Sequence, residues 1–145
     1  MGLIDSIRTG TYVAVGDDCP RAGEVTELAE TALRIAAGEE VMLAVRDFLD
    51  QLSRITDCEL AAAIERRPEL TADRRADALL AGVAEHLAAT RDVPGPRWVL
   101  EPERFLDRFW FVSGVPGFRA IALAQTPIAL KRRGVLWPAR SMQRV

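Results

Sequence analysis

Residues 71–91, TADRRADALLAGVAEHLAATR, carry the most regular apolar pattern in this 145-residue chain. Their apolar residues recur at the three- and four-residue spacing of a helix face: Ala76, Leu79, Leu80, Val83, Ala84, Leu87 and Ala88. The pattern predicts a helix capped by Thr71 and running to about Arg91. The charged residues near its start, Asp73 to Asp77, are interpreted as a solvated face.

Three further helices are predicted on the N-terminal side of this stretch. Residues 22–37 and 39–55 each carry an apolar stripe, and Gly38 separates them as a natural helix stop. Thr56 and Glu59 form a capping-box pattern, and the helix that they begin should end before Pro68. The prediction is therefore an all-α fold in which residues 22–91 form a bundle of about four helices.

Residues 92–145 have a different character. They hold seven of the nine aromatic residues and six of the eight prolines. Short helices are expected from Pro102, over residues 118–124 and from a Thr126 cap to Gly134, and residues 135–137 are expected to be extended. This half should wrap onto the bundle, which makes residues 22–145 a single domain. Residues 1–21 are expected to form a loosely ordered arm.

Charge is divided unevenly along the chain. Residues 1–107 contain 21 acidic and 12 basic residues, whereas residues 108–145 contain seven basic residues and no acid. The total of −2 hides this split. It indicates either a basic surface for an anionic partner or a tail that folds against its own acidic helices. The sequence leaves both interpretations open.

The two cysteines, Cys19 and Cys58, lie far apart and form no CxxC motif. Reduced thiols and a cytoplasmic location are the default expectation for such a chain. No stretch approaches the ~18 consecutive apolar residues of a membrane span, so no membrane association is expected.

Catalytic and cofactor motifs are not found. The chain has no GxGxxG, GxxxxGK[ST] or GxSxG sequence, and its cysteines and single histidine are too scattered for a zinc site. No metal ligand and no cofactor are therefore predicted. His86 borders the apolar face of residues 71–91, where a structural role is favoured over that of a general base.

The C-terminal half supplies the candidate partner-binding residues. Lys131 to Arg133 form the densest basic cluster, although these cations also suit the C-terminal end of a helix. The aromatic run of residues 104–111 favours core packing, but Trp110 and Arg108 are of the types enriched at interface hot spots. The candidates are Arg104, Arg108, Trp110, Arg119, Lys131, Arg132, Arg133 and Arg140.

Several phrases of the second half carry a family resemblance. They are LTAD (70–73), DALLAGVAEHLA (77–88), PRW (96–98), RFLDRFWF (104–111), and Pro127 with RRGV (132–135). These phrases resemble small actinobacterial antitoxins or regulators encoded beside nucleotidyltransferase-type toxins. The resemblance covers about half the chain and implies partner binding. Residues 1–40 do not supply the helix-turn-helix that some of those proteins carry.

The leading hypothesis is a non-enzymatic, antitoxin-like interaction protein that binds and neutralises a partner, such as a nucleotidyltransferase toxin. A basic arm without acidic residues would suit the acidic, metal-binding active site of such an enzyme. The alternative is a nucleic-acid-binding transcriptional regulator, for which binding should weaken steeply with salt. A third hypothesis is an enzyme that uses His86. An oligomer is compatible with all three.

Overall fold

The computed structural model describes residues 25–143, and α-helices dominate this part of the chain. The first half holds α1 (Leu28–Ala36), α2 (Val41–Asp50), α3 (Asp57–Glu65) and α4 (Arg74–Thr90). The second half holds α5 (Arg119–Gln125), α6 (Ile128–Lys131) and α7 (Ala139–Met142), with two short strands, β1 (Trp110–Phe111) and β2 (Val135–Leu136). The predicted all-α fold is confirmed. The arm predicted over residues 1–21 lies outside the described residues.

Helix α1 begins later than the sequence predicted. The prediction began at residue 22, but residues 25–27 are not helical. The Gln51 side chain holds the backbone of Thr26 in place, because its oxygen accepts from the Thr26 N–H at 2.9 Å and its nitrogen donates to the Thr26 carbonyl at 2.8 Å. The helix therefore starts after Glu27, whose N–H is bound by the Glu30 carboxylate at 2.8 Å.

The hinge between α1 and α2 lies at Gly38, as predicted, and its φ of +109° is a backbone conformation that glycine adopts without strain. Helix α2 ends at Asp50 and a 3₁₀ turn, Leu52–Arg54, completes the predicted second helix. The predicted capping box at the start of α3 is confirmed. The Thr56 hydroxyl accepts from the Glu59 N–H at 3.1 Å, and the Glu59 carboxylate accepts from the Thr56 N–H at 2.9 Å.

Helix α4 is capped by Asp73, whose carboxylate accepts from the Arg75 N–H at 2.9 Å. The prediction of Thr71 as the cap was wrong, because the Thr71 hydroxyl is used elsewhere. It donates to the Asp77 carboxylate at 2.9 Å and accepts from the Asp73 N–H at 3.1 Å. Asp77 is consequently only 3 % exposed, so its predicted place on a solvated face was also wrong.

Helix α4 is the centre of the molecule. It packs against α1, α6, β2 and two 3₁₀ turns, Arg97–Leu100 and Pro102–Arg104. A Cβ atom added at Gly82 would collide with the Leu130 side chain, so this glycine lets α6 approach closely. One continuous hydrophobic core includes Leu28 and Leu79 together with Leu130 and Trp137. Both halves of the chain therefore share a core, as a single domain requires.

The strands of the second half tie its short elements together. β1 and β2 pair in parallel, with Trp110 opposite Val135 and Phe111 opposite Leu136. The predicted extended segment after Gly134 is thus present. Thr126 is not the cap of α6, contrary to prediction, because its hydroxyl contacts the Ala122 carbonyl at the end of α5.

Cys58 on α3 is disulfide-bonded, so the expectation of a reduced thiol was wrong for this residue.

Candidate functional site

Arg132 and Arg133 fold back onto helix α4. The Arg132 guanidinium binds the Glu85 carboxylate through two nitrogens, at 3.2 and 2.7 Å. Arg133 forms an ion pair with the same carboxylate and donates to the carbonyls of Ala129 at 2.7 Å and Val99 at 2.6 Å. Burial lowers the pKa of Arg133, and the bond to Glu85 opposes that effect.

Arg104, the last residue of the 3₁₀ turn Pro102–Arg104, is buried in the same way. Its guanidinium donates to the Pro68 carbonyl at 2.6 Å and to the Glu101 carboxylate at 3.1 Å. It lies 4.9 Å from the centroid of the Trp98 ring and 4.0 Å from the Asp77 carboxylate. Arg104 and Trp98, which lie on the two consecutive 3₁₀ turns, therefore contact each other.

Asp77 is a buried carboxylate beside Arg104. Burial raises its pKa, and this effect is opposed by the two bonds from Thr71 and by the Arg104 charge. The Thr71 N–H donates to the Asp77 carboxylate at 2.8 Å. One oxygen of the Asp77 carboxylate accepts both bonds from Thr71. Asp77 therefore anchors the loop before α4, and its carboxylate is not exposed to solvent.

Two of the predicted partner-binding residues thus belong to the core. The side chains of Arg104 and Arg133 have no exposed surface, and their hydrogen bonds go to carbonyls and carboxylates of this chain. Within the described residues, Arg104 Nη1 and Arg133 Nε make no hydrogen bond. Their assignment to a partner-facing surface was therefore wrong. Arg132 keeps about 40 % of its side chain exposed but is already paired with Glu85.

The other basic candidates remain on the surface. Arg108, Arg119 and Arg140 are exposed, and Lys131 is half-buried. Within residues 25–143 their side chains make no ion pair. Arg119 stacks over the Phe111 ring at 5.2 Å, and Trp110 is covered by Arg75 at 5.4 Å. These residues supply positive charge that the described part of the chain does not neutralise.

The segment around α5 exposes large apolar side chains. Ala122 is the only buried residue of the helix. Val115, Phe118 and Leu123 keep 52 %, 53 % and 44 % of their surface in contact with solvent. These three residues and Arg119 are here called the α5 surface. Contiguous exposed apolar patches mark protein interaction sites, and these three apolar residues lie within nine residues of chain.

Sequence reasoning missed the apolar part of this surface. The signal was present in α5 itself, whose sequence RAIALAQ has apolar residues at five of its seven positions and no acid. A helix with apolar residues all round needs cover on every side. Phe109 and Ile128, at 63 % and 74 % exposed, extend the apolar character before and after α5 along the chain.

His86 lines a separate cavity of about 340 Å³ between α2, α4 and α7. Ser53 and Arg91 also line it, but no carboxylate of residues 25–143 does. Burial lowers the pKa of His86. A general base needs a bonded nucleophile and an orienting group. Within the described part of the chain, His86 is hydrogen-bonded neither to a nucleophile nor to an orienting group.

Neither a metal site nor a membrane crossing is found in residues 25–143. No group of three or more His, Cys, Asp or Glu side chains there is arranged to hold a metal ion. No helix in this part of the chain combines the length and apolarity that spanning a membrane requires.

Comparison with protein-family models, with curated proteins and with solved structures found no match for this chain.

Proposed function

We propose that this chain is a non-enzymatic interaction protein, and that its C-terminal half binds and neutralises an acidic partner protein. The observation that carries the proposal is the α5 surface, where Phe118 and Leu123 are exposed beside Arg119. Large apolar side chains at the centre of an interface and charges at its rim are the usual composition of a protein–protein contact.

Unneutralised charge supports an acidic partner in particular. Arg108, Arg119, Lys131 and Arg140 all follow Asp107, the last acidic residue of the chain. Opposite charges across an interface accelerate encounter and reject partners of the same sign. A basic protein would be repelled by this half of the molecule.

The partner class is proposed from the family resemblance: a nucleotidyltransferase toxin with an acidic, metal-binding active site. In this version the basic residues around α5 compete with the metal ions and with nucleotide phosphates. Growth rescue tests it. Co-production of the chain should restore growth to cells that make the nucleotidyltransferase identified as its partner by co-purification, and unchanged toxicity would contradict the antitoxin role.

Partner binding itself is tested without naming the partner. The tagged full-length chain is captured from its own host, the co-purifying protein is identified, and both are purified separately and mixed. A complex that elutes as one species at low salt and dissociates as salt rises is expected, because exposed charges are screened. Elution of the two proteins as separate species at low salt would contradict the proposal.

The nucleic-acid alternative is favoured only by the same exposed basic residues. It predicts a mobility shift with DNA or RNA at low salt that weakens steeply with added salt. Residues of the α5 surface separate the two functions. Phe118 and Leu123 should be needed for a protein partner, whereas replacing them should leave phosphate-directed binding unchanged.

A further inference from the structure

A cavity of about 430 Å³ opens between α2, the turn after β1, α5 and α7. This volume lies within the range of small-molecule sites in proteins. Nine of its thirteen lining residues are apolar, and they include Met42, Phe111, Phe118, Ile121, Leu136 and Trp137. The cavity therefore offers a ligand an apolar enclosure bounded by residues from both halves of the chain.

Two arginines line this apolar cavity from different elements. Arg46 comes from α2 and Arg140 from α7, and both are exposed. Neither guanidinium makes a hydrogen bond or an ion pair to any residue between 25 and 143. Other arginines of the first half behave differently: Arg34, Arg67 and Arg91 each bind a carboxylate of this chain.

The charged side chains that line the cavity are all positive. Ser113 and Ser141 add hydroxyl groups, and no acidic side chain of the described residues lines the cavity. A cationic ligand would therefore meet only repulsion from the nearby charges. An uncharged apolar ligand would leave both guanidiniums without a bonded partner.

We propose that this cavity binds a small organic acid, a ligand with an apolar body and a carboxylate end. The apolar walls would take the body, since burial of apolar surface favours binding. Arg46 and Arg140 would hold the carboxylate, whose two oxygens match the paired donors of a guanidinium. This site does not require the proposed partner, because every group that forms it belongs to this chain.

Octanoate is the probe for the first test, with Trp137 in the cavity wall as a fluorescence reporter and calorimetry as an independent readout. Saturable binding of one octanoate per chain is expected. Affinity should rise about tenfold from hexanoate to octanoate, because two more methylenes are buried. Octylamine and 1-octanol, which keep the apolar body and lack the carboxylate, should bind about tenfold more weakly.

The arginines are tested with Arg46→Gln, Arg140→Gln and the double variant. Each single change should weaken octanoate binding about threefold and the double change about tenfold, because these exposed contacts are partly screened. Arg97→Gln is the matched control, since Arg97 is exposed and does not line the cavity. Equal unfolding midpoints for all four variants would verify that the fold is intact.

Three results would overturn the proposal. They are equal binding of octylamine and octanoate, equal binding of hexanoate and octanoate, and unchanged octanoate affinity in the double variant. The first would exclude an anion site, the second would exclude an apolar enclosure, and the third would place the carboxylate elsewhere. None of them bears on the protein partner, whose binding is measured without octanoate.

Discussion

Two buried arginines, Arg104 and Arg133, help the shared hydrophobic core to join the two halves of this molecule. A guanidinium presents five N–H donors in a rigid plane, so it can satisfy several acceptors at once when it is buried. Arg133 does this with Glu85, Ala129 and Val99, and Arg104 does it with Pro68 and Glu101. Charged groups are therefore accommodated inside the molecule by backbone carbonyls as well as by acids.

Replacing Arg133 with Met should lower the free energy of unfolding by about 3 kcal/mol, because buried acceptors then lose their donor. Arg133→Lys should also destabilise the protein, since an ammonium cannot reach the same set of acceptors. Urea denaturation of both variants measures the effect. Arg97→Met, at an exposed position, should stay within about 0.5 kcal/mol. Equal losses at the two positions would contradict the buried role of Arg133.

The single histidine gives the protein a pH-dependent contribution to stability. Burial lowers the pKa of His86 from its ordinary value of 6.5. The unfolded chain therefore binds this proton more readily, and the His86 contribution to stability is lost as pH falls below 6.5. His86→Gln should remove part of the stability difference between pH 7 and pH 5.

The histidine ring signals in an NMR titration measure the same property directly, because no other histidine overlaps them. A midpoint below 6.5 is expected for the folded protein. A midpoint above that value, or an unchanged pH dependence in His86→Gln, would contradict the buried, neutral imidazole.

The role of a side chain was predictable from sequence only where its hydrogen-bond partner lies nearby in the chain. The capping box of Thr56 and Glu59 spans three residues and was found. The burial of Arg104 and Arg133 was not, because it depends on carbonyls 36 and 34 residues away, at Pro68 and Val99. The composition of a basic cluster does not reveal which of its members has a buried acceptor nearby.

At the scale of elements, the contact between α4 and α6 depends on the absence of a side chain. Gly82 lies in the middle of α4, where glycine costs about 1 kcal/mol relative to alanine. The added Cβ would lie 3.3 Å from the Leu130 Cα atom and collide with the Leu130 side chain. Close packing of the two helices therefore outweighs helix propensity at this position.

Gly82→Ala should lower stability by about 1 kcal/mol, the balance between overpacking and improved helix propensity. In a Leu130→Ala background the collision disappears, so the same Gly82→Ala change should become neutral or stabilising. A double-mutant cycle measured by thermal unfolding tests this coupling. Additive effects of the two substitutions would contradict the close packing of α4 and α6.

The helices of the first half were predictable because their apolar spacing is regular, and the four-helix order of residues 28–90 was found. Their starts were less predictable where a side chain has a competing bond. Thr71 was chosen as a cap on residue type, but its hydroxyl binds Asp77. Thr126 does not cap α6 for the same reason, because its hydroxyl donates to the carbonyl of Ala122.

At the scale of the whole molecule, the positive charge of the C-terminal half falls into two groups. Part of the C-terminal positive charge is neutralised within the chain, where Arg132 and Arg133 bind Glu85. The rest is carried by residues that make no ion pair within the described part of the chain, such as Arg119 and Arg140. The interpretation of a tail that folds against its own acidic helices therefore describes part of this charge. For the remaining basic residues, a surface for an anionic partner stays a prediction.

The sequence of α5 shows that the helix is apolar, but composition does not show which of the surrounding side chains stay exposed. Apolar residues most often bury, and on that basis the aromatics of residues 94–145 were expected to pack. Trp98 and Trp137 do pack in the core, whereas Phe109 and Phe118 remain exposed. Exposure depends on which neighbours cover a short helix, and α5 has few.

The affinity of the purified partner for two double variants is the most direct test of the central claim. Phe118→Ser/Leu123→Ser changes the α5 surface, and Leu33→Ser/Leu70→Ser makes matched changes at exposed leucines of the first half. Calorimetry at low salt should show about 100-fold weaker binding for the first variant, because apolar anchors dominate interface energies. The second should bind within about twofold of the unaltered chain. Equal affinities for the two variants would contradict partner binding through the α5 surface.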